Sequence, residues 1–526
     1  MKINSDIKPF GQMEKQLNKT RMGVKTAFSV IIIALIQGVL SFYRINVVLD
    51  AYGDNINGIV QAAMQMSAYL ILLQTGMSAA YQYHMYAPLN GGEFSRISAL
   101  FSGLQKRMLR VTGKMLLVAL AVIPVYSALL LKQGVQYWDT LLILAAIGVR
   151  ISAPFFYTLP ERCLIEIREK KYIVVTVEGT KDIATLITEI LLIHLVQLPL
   201  PLILCVNLVF LALSKLVYRR LIAKLYGPSF NLNAAPEYVA SKMTNAVYVH
   251  QISSMVTSNT DSVVLSLLSN LKNVTIYSAF ATLIYYPNVV IYRIIEGMRA
   301  TLALKITRGD DDSYLAFKQL LAFSFFCISV TVPVFLQLAN PFVELWIGKE
   351  YQIPTLPLVL FGLMLADLLF MPVIYAARDA RGLYPESKKF TIAQAIVNLV
   401  FSIALAVPFG ITGVLVGTIA AAYLVLQPGN FRLVYGHVFA RKITIYGELA
   451  IVAALCTASY FASGFVMNIL ALEAGWLALA ESAVVCAAIA SALAFAGLWL
   501  TNKGFRMLSR RFLRRRSDTL ATGSQV

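Results

Sequence analysis

Four basic residues interrupt otherwise apolar stretches of this chain: Arg44, Arg150, Lys181 and Arg293. A charge held at mid-bilayer costs at least about 2.5–3.5 kcal/mol on insertion scales, so one kept there is paired, sits at an interface, or serves a function. A guanidinium stays charged and grips the oxygens of an anion with two N–H groups at once. Acids accompany these cations. Glu178, Lys181, Asp182 and Glu189 follow one another in steps of three, one and seven residues, which sets them along one face of a helix. That face must meet water or protein. It reads either as an intramembrane Glu178–Lys181–Asp182 pairing that fixes helix packing or as an ion or proton site. Arg293, Glu296 and Arg299 recur at i, i+3 and i+6, with Arg299 near enough to an edge to snorkel. Arg150 beside Pro154, and Asp367, read equally as packing or pathway residues.

Signals for bond-making chemistry are poor. His84, His194, His250 and His437 lie in separate segments without ligand spacing. The cysteines Cys163, Cys205, Cys327, Cys456 and Cys486 fall in or beside apolar stretches and read as small reduced hydrophobes. No glycine-rich phosphate loop is present. The run Asp310–Asp311–Asp312 reads as a helix N-cap on a turn. No catalytic residue, bound metal or cofactor is expected, and the chain is read as a non-enzyme.

The elements carrying these residues follow from composition. Of 526 residues 58% are hydrophobic and 14% charged, against about 25% charged in soluble domains. A membrane-crossing helix needs about 20 apolar residues. Fourteen spans are read, among them spans one and two (26–48, 58–86), five (173–196), seven and eight (244–268, 275–298), ten (354–376), eleven and twelve (391–408, 411–431), and thirteen and fourteen (445–468, 476–500). An even count puts both termini on one side. The connections on that side hold 38 of the 45 basic residues, whereas the other side holds Lys132, Lys272 and Lys349, so both termini are expected to be cytoplasmic. The net charge of +18 is thereby assigned to loops facing lipid headgroups, which excludes nucleic acid as the partner. The connections at 88–111 and 305–318 are expected to be short surface helices.

A weak repeat divides the chain. Val47-Val48-Leu49 returns as Val263-Val264-Leu265, Lys170-Lys171-Tyr172 as Lys388-Lys389-Phe390, and Leu216-Val217-Tyr218 as Leu433-Val434-Tyr435, at offsets of 216 to 218. Spans one to six therefore duplicate as seven to twelve, in the same orientation. The expected fold is an all-α polytopic membrane protein with 14 transmembrane helices: two six-helix lobes related by pseudo-two-fold symmetry, plus an appended C-terminal pair. Its boundaries are an N-terminal segment 1–25, an N-lobe 26–222, a linker 223–243, a C-lobe 244–440, the pair 441–500 and a basic tail 501–526. The repeat sets Arg44 one residue from the counterpart of Asp261. The two are expected either to line a shared cavity, Arg44 on an anion and Asp261 holding it or exchanging a proton, or to form a salt bridge between the bundles.

Four stretches carry a resemblance. Asn259-Thr260-Asp261-Ser262-Val263-Val264-Leu265, Val274-Thr275-Ile276-Tyr277-Ser278, Pro341 to Tyr351 with Leu345-Trp346-Ile347-Gly348 at its centre, and Phe409 to Thr418 resemble, in the same order, the polysaccharide exporter branch of the multidrug/oligosaccharidyl-lipid/polysaccharide flippase superfamily. The resemblance implies translocation of an undecaprenyl-pyrophosphate-linked oligosaccharide from the inner to the outer leaflet by alternating access. It further implies the cytoplasmic (inner) membrane of a bacterium, membrane lipids as surroundings and polysaccharide assembly proteins as partners. A pyrophosphate cannot cross hydrocarbon unaided. Arg44, Arg293, Arg150 and Lys181, in that order, are the residues expected to bind it, and Asp261, Glu178 and Asp182 those able to couple an ion. Two alternatives stay open: a drug/cation antiporter of the same superfamily, whose cavity should be dominated by acids, and an integral membrane polysaccharide polymerase or glycosyltransferase, which needs a larger extramembrane loop.

Overall fold

The computed structural model describes residues 10–70, 76–239, 245–470 and 475–510, with side chains described from residue 32 and, after the second gap, from residue 251. The first residues of the expected N-terminal segment, the His250 side chain and the tail beyond Arg510 lie outside them. The described residues are almost entirely helical and divide into two compact units, Met1–Met243 and Thr244–Val526.

Unit 1 opens with α1 (Phe10–Ala68), which breaks at Gly53, where φ is 81°. A side chain there would be strained by the backbone, so glycine lets one element hold span one and the start of span two. Then come α2 (Met77–Gly91), α3 (Phe94–Leu130), α4 (Tyr137–Tyr157), α5 (Leu159–Glu166), α6 (Lys171–Leu195) and α7 (Leu200–Tyr226). The surface helix expected at 88–111 is no separate element, because α3 continues without a break through Gly103 and Gly113 into span three. A core of Tyr81, Met85, Phe101, Leu104, Cys163, Leu164, Tyr218 and Tyr226 ties α2, α3, α5 and α7 together.

Unit 2 comprises α8 (Asn245–Asn259), α9 (Asp261–Leu268), α10 (Leu271–Arg308), α11 (Ser313–Ile347), α12 (Thr355–Ala380), α13 (Tyr384–Ala420), α14 (Gln427–Arg432), α15 (Ile445–Leu470) and α16 (Trp476–Thr501). The segment 305–318 is likewise no surface helix. Gly309 ends α10 and α11 starts four residues later. Asp312 occupies the N-cap position of α11 without making a capping bond, since its carboxylate pairs with Lys305 instead. Spans eleven and twelve fold back on each other inside α13 at Gly410, φ 53°. The reversal is close-packed: a Cβ on Gly413 would lie 2.0 Å from the Leu405 carbonyl oxygen, and one on Gly417 2.8 Å from the Ser402 nitrogen. The appended pair α15–α16 packs on α11, with Phe342 edge-on to Trp476 and Lys318 paired to Glu448.

Among the described residues ten helices are long and apolar enough to cross a membrane. Fourteen spans fit into this smaller number for physical reasons. Spans one and two share α1, and eleven and twelve share one continuous helical run. Span five, α6, carries too many charges to qualify, and span seven is split at Thr260 between α8 and α9.

Candidate anion and cation sites

In unit 1, α1 and α6 approach closely because position 179 has no side chain; a Cβ on Gly179 would meet Ile33 Cγ2 at 2.5 Å. Ten residues further along α6, on its buried face, lies Glu189, fully shielded from solvent. One of its oxygens accepts from Arg44 Nε of α1 and the other from Arg150 Nη1 of α4, each at 2.5 Å. A buried carboxylate is tolerable only when paired and hydrogen-bonded, and here each oxygen has its own guanidinium. The triad carries one net positive charge. Arg44 and Arg150 are thus brought together by a residue that the sequence placed on a charged face but gave no partner.

A second cluster lies on α6. Lys181 Nζ is 2.9 Å from Glu178 and 3.2 Å from Asp182. Tyr218 donates to Glu178 at 2.8 Å, Arg162 stands 3.9 Å from it, and Gln37 donates to Asp182 at 3.4 Å. These contacts join α1, α5, α6 and α7, so the cluster both packs the unit and concentrates titratable groups. Glu161 and Lys215 form a further buried ion pair, at 3.6 Å, which sequence reading missed; the ammonium also sits 4.0 Å from the centre of the Tyr157 ring. In α5, outside the long apolar helices, burial pushes the Glu161 carboxyl up, with Lys215 opposing.

In unit 2, Arg293 pairs with Glu296 at 2.8 Å and both are exposed. Arg299 does more than snorkel: it reaches Asp379 of α12 at 2.6 Å, where Arg378 also contributes, at 2.8 Å. Arg44 finds its carboxylate in its own unit, and Asp261 likewise has its polar partners within unit 2. Asp261 is buried and accepts a hydrogen bond from Tyr277 at 2.6 Å and one from Thr418 at 3.2 Å. Asn398 donates to Thr418 at 2.8 Å, while Asn398 Oδ1 and Ser402 Oγ are buried without a hydrogen-bond partner among the described residues. Asp261 and Thr418 border a cavity of about 350 Å³ that also receives Asp367, Tyr375, Thr391 and Gln394; Gln427 donates to Asp367 at 2.7 Å. This is an acid-bearing pocket whose walls are otherwise largely apolar, with Met364, Leu368, Met371 and Leu426 among them. Asn398 and Ser402 carried no signal in the sequence, because hydroxyls and amides are ordinary on packed helix faces; Tyr277 and Thr418 lie in stretches that carry the resemblance but were given no role there.

Long apolar helices with ionisable groups held within them define a multi-pass membrane protein. No protein-family model matches the sequence, and no curated protein matches it either. Solved structures do. The chain is similar to the lipid II flippase MurJ in an inward closed conformation, with a TM-score of 0.63 over 89% of this chain and 98% of that one, at 13% identity. It is also similar to a multidrug resistance MATE family transporter of the MOP superfamily in an inward-facing conformation, with a TM-score of 0.54 over 78% of this chain and 94% of that one, at 10% identity. The chain shares the fold of these two proteins.

Proposed function

We propose that the protein is a flippase that carries an undecaprenyl-pyrophosphate-linked oligosaccharide from the cytoplasmic to the outer leaflet of a bacterial inner membrane by alternating access, with both termini cytoplasmic. The observation that carries this reading is the Arg44–Glu189–Arg150 triad. Two guanidiniums share one carboxylate, so a net positive charge is kept inside an apolar unit with N–H donors left to engage phosphate oxygens. Arg293 and Lys181 are the further cations for the headgroup. Its likeness in fold to a flippase of lipid II supports a lipid-linked substrate. Polysaccharide assembly proteins would supply and receive it.

Ion coupling is assigned first to Asp261, whose buried carboxylate accepts from Tyr277 and Thr418 beside the cavity it shares with Asp367, a setting suited to a proton or a monovalent cation. Glu178 and Asp182 are the candidates in unit 1. One specific observation favours a second reading, antiport of a cationic drug: the cavity of unit 2 bears both Asp261 and Asp367. The two readings part on Arg44→Ala in proteoliposomes. A flippase variant loses movement of the lipid-linked sugar, whereas an antiporter keeps efflux of a cationic dye and loses it on Asp261→Asn.

A further inference from the structure

The segment after α7, residues 227–239, is not a loose tether. It runs across α2 and α3, and three of its amides are committed to them. Asn231 N–H donates to Ser98 Oγ at 3.0 Å, Glu237 N–H to the Ala99 carbonyl at 2.9 Å, and Val239 N–H to the Tyr81 hydroxyl at 3.3 Å. Arg107 returns a bond to the Val239 carbonyl at 2.5 Å, and Arg110 donates to the Tyr238 hydroxyl at 2.7 Å. Phe230 packs edge-on to Phe101, with ring centres 5.6 Å apart, and Val239 is buried in the core of unit 1. The seat is shaped for this segment: a Cβ on Gly103 would lie 1.9 Å from the Glu237 carbonyl oxygen. Any side chain there would push the segment off. The division between the units falls only after this docked stretch, at Met243 and Thr244.

We infer that residues 227–239 form a strap that belongs to unit 1 and stays seated on α2 and α3 throughout the working cycle. The covalent link to unit 2 is then paid out from Val239 and not from the end of α7. This inference concerns the strap's mechanics and does not depend on which substrate is carried.

Hydrogen exchange on the full-length protein in liposomes tests it. In the wild type the amides of Asn231, Glu237 and Val239 are expected to exchange at least about tenfold more slowly than an unfolded chain. Gly103→Ala should erase that protection while peptides from α4, α6 and α7 keep theirs. Strap amides exchanging freely in the wild type overturn the inference. If Gly103→Ala loosens the whole unit, Arg107→Ala, which leaves the α3 backbone intact, replaces it under the same criterion. A disulfide between Ser98→Cys and Asn231→Cys supplies the functional arm. Transport retained within about twofold supports a strap that never leaves its seat. Transport lost on oxidation and regained on reduction contradicts it. Should the wild type move no lipid-linked sugar, the proposed substrate fails, and the exchange measurement still decides the strap.

Discussion

Glu189 decides the character of the proposed anion site, because it sets both the geometry and the net charge of the two arginines. Removing one partner of a buried charge group costs about 3–5 kcal/mol, since the charges left behind stay desolvated. Glu189→Ala is therefore expected to lower the thermal unfolding temperature in detergent markedly, whereas Arg293→Ala, an exposed pair with Glu296, should leave it nearly unchanged. Equal loss in the two variants would show that Glu189 is not a buried hub. Asp261→Asn keeps the shape of the site and one oxygen able to accept from Tyr277 and Thr418, while deleting its charge. Transport in that variant is expected to lose its dependence on a proton or sodium gradient, read as flux with and without the gradient; retained dependence would move coupling to Glu178 and Asp182. Charged residues announced themselves in the sequence by standing in apolar stretches. Their partners did not, since Tyr277, Thr418 and Asn398 are unremarkable one at a time and become a site only when α8–α9, α10 and α13 meet.

Elements meet where glycine permits it. Gly179 admits Ile33 and so brings α1 to α6 at the distance that Arg44 needs to reach Glu189. Gly179→Leu is expected to force the helices apart, with an overpacking cost of about 1–3 kcal/mol, and to weaken substrate binding as Arg44→Ala does; unaltered stability and flux would mean that the approach has slack. Gly410→Ala places a side chain at positive φ in the α13 reversal and should cost about 1 kcal/mol, read as a lower unfolding temperature of the purified protein. Long apolar windows made ten membrane-length helices legible among the described residues, and not spans five and seven, which charge and a break at Thr260 keep out of that set. Helix boundaries were not legible, because glycine alone does not say which conformation it takes: Gly53 and Gly410, at positive φ, separate two spans inside one helical run, while Gly103 is helical and serves as a seat for the strap. The separate surface helices expected at 88–111 and 305–318 are absent among the described residues because each turn there opens a helix that runs on into the next span.

At the scale of the whole molecule, the charge distribution and the fold point in one direction. An inside-negative membrane potential favours outward movement of an anion by about 2.3 kcal/mol per charge per 100 mV. Imposing that potential on proteoliposomes should accelerate outward transfer of the lipid-linked sugar, and collapsing it should slow transfer toward the ungradiented rate. A rate insensitive to potential would mean that the headgroup crosses with its charge neutralised by a co-transported cation. The most direct measurement is leaflet-resolved tracking of an undecaprenyl-pyrophosphate-linked oligosaccharide in liposomes holding either the wild type or Arg44→Ala. Rapid transfer by the wild type and transfer at the protein-free rate by the variant are expected; equal transfer by both would contradict a site built on the Arg44–Glu189–Arg150 triad.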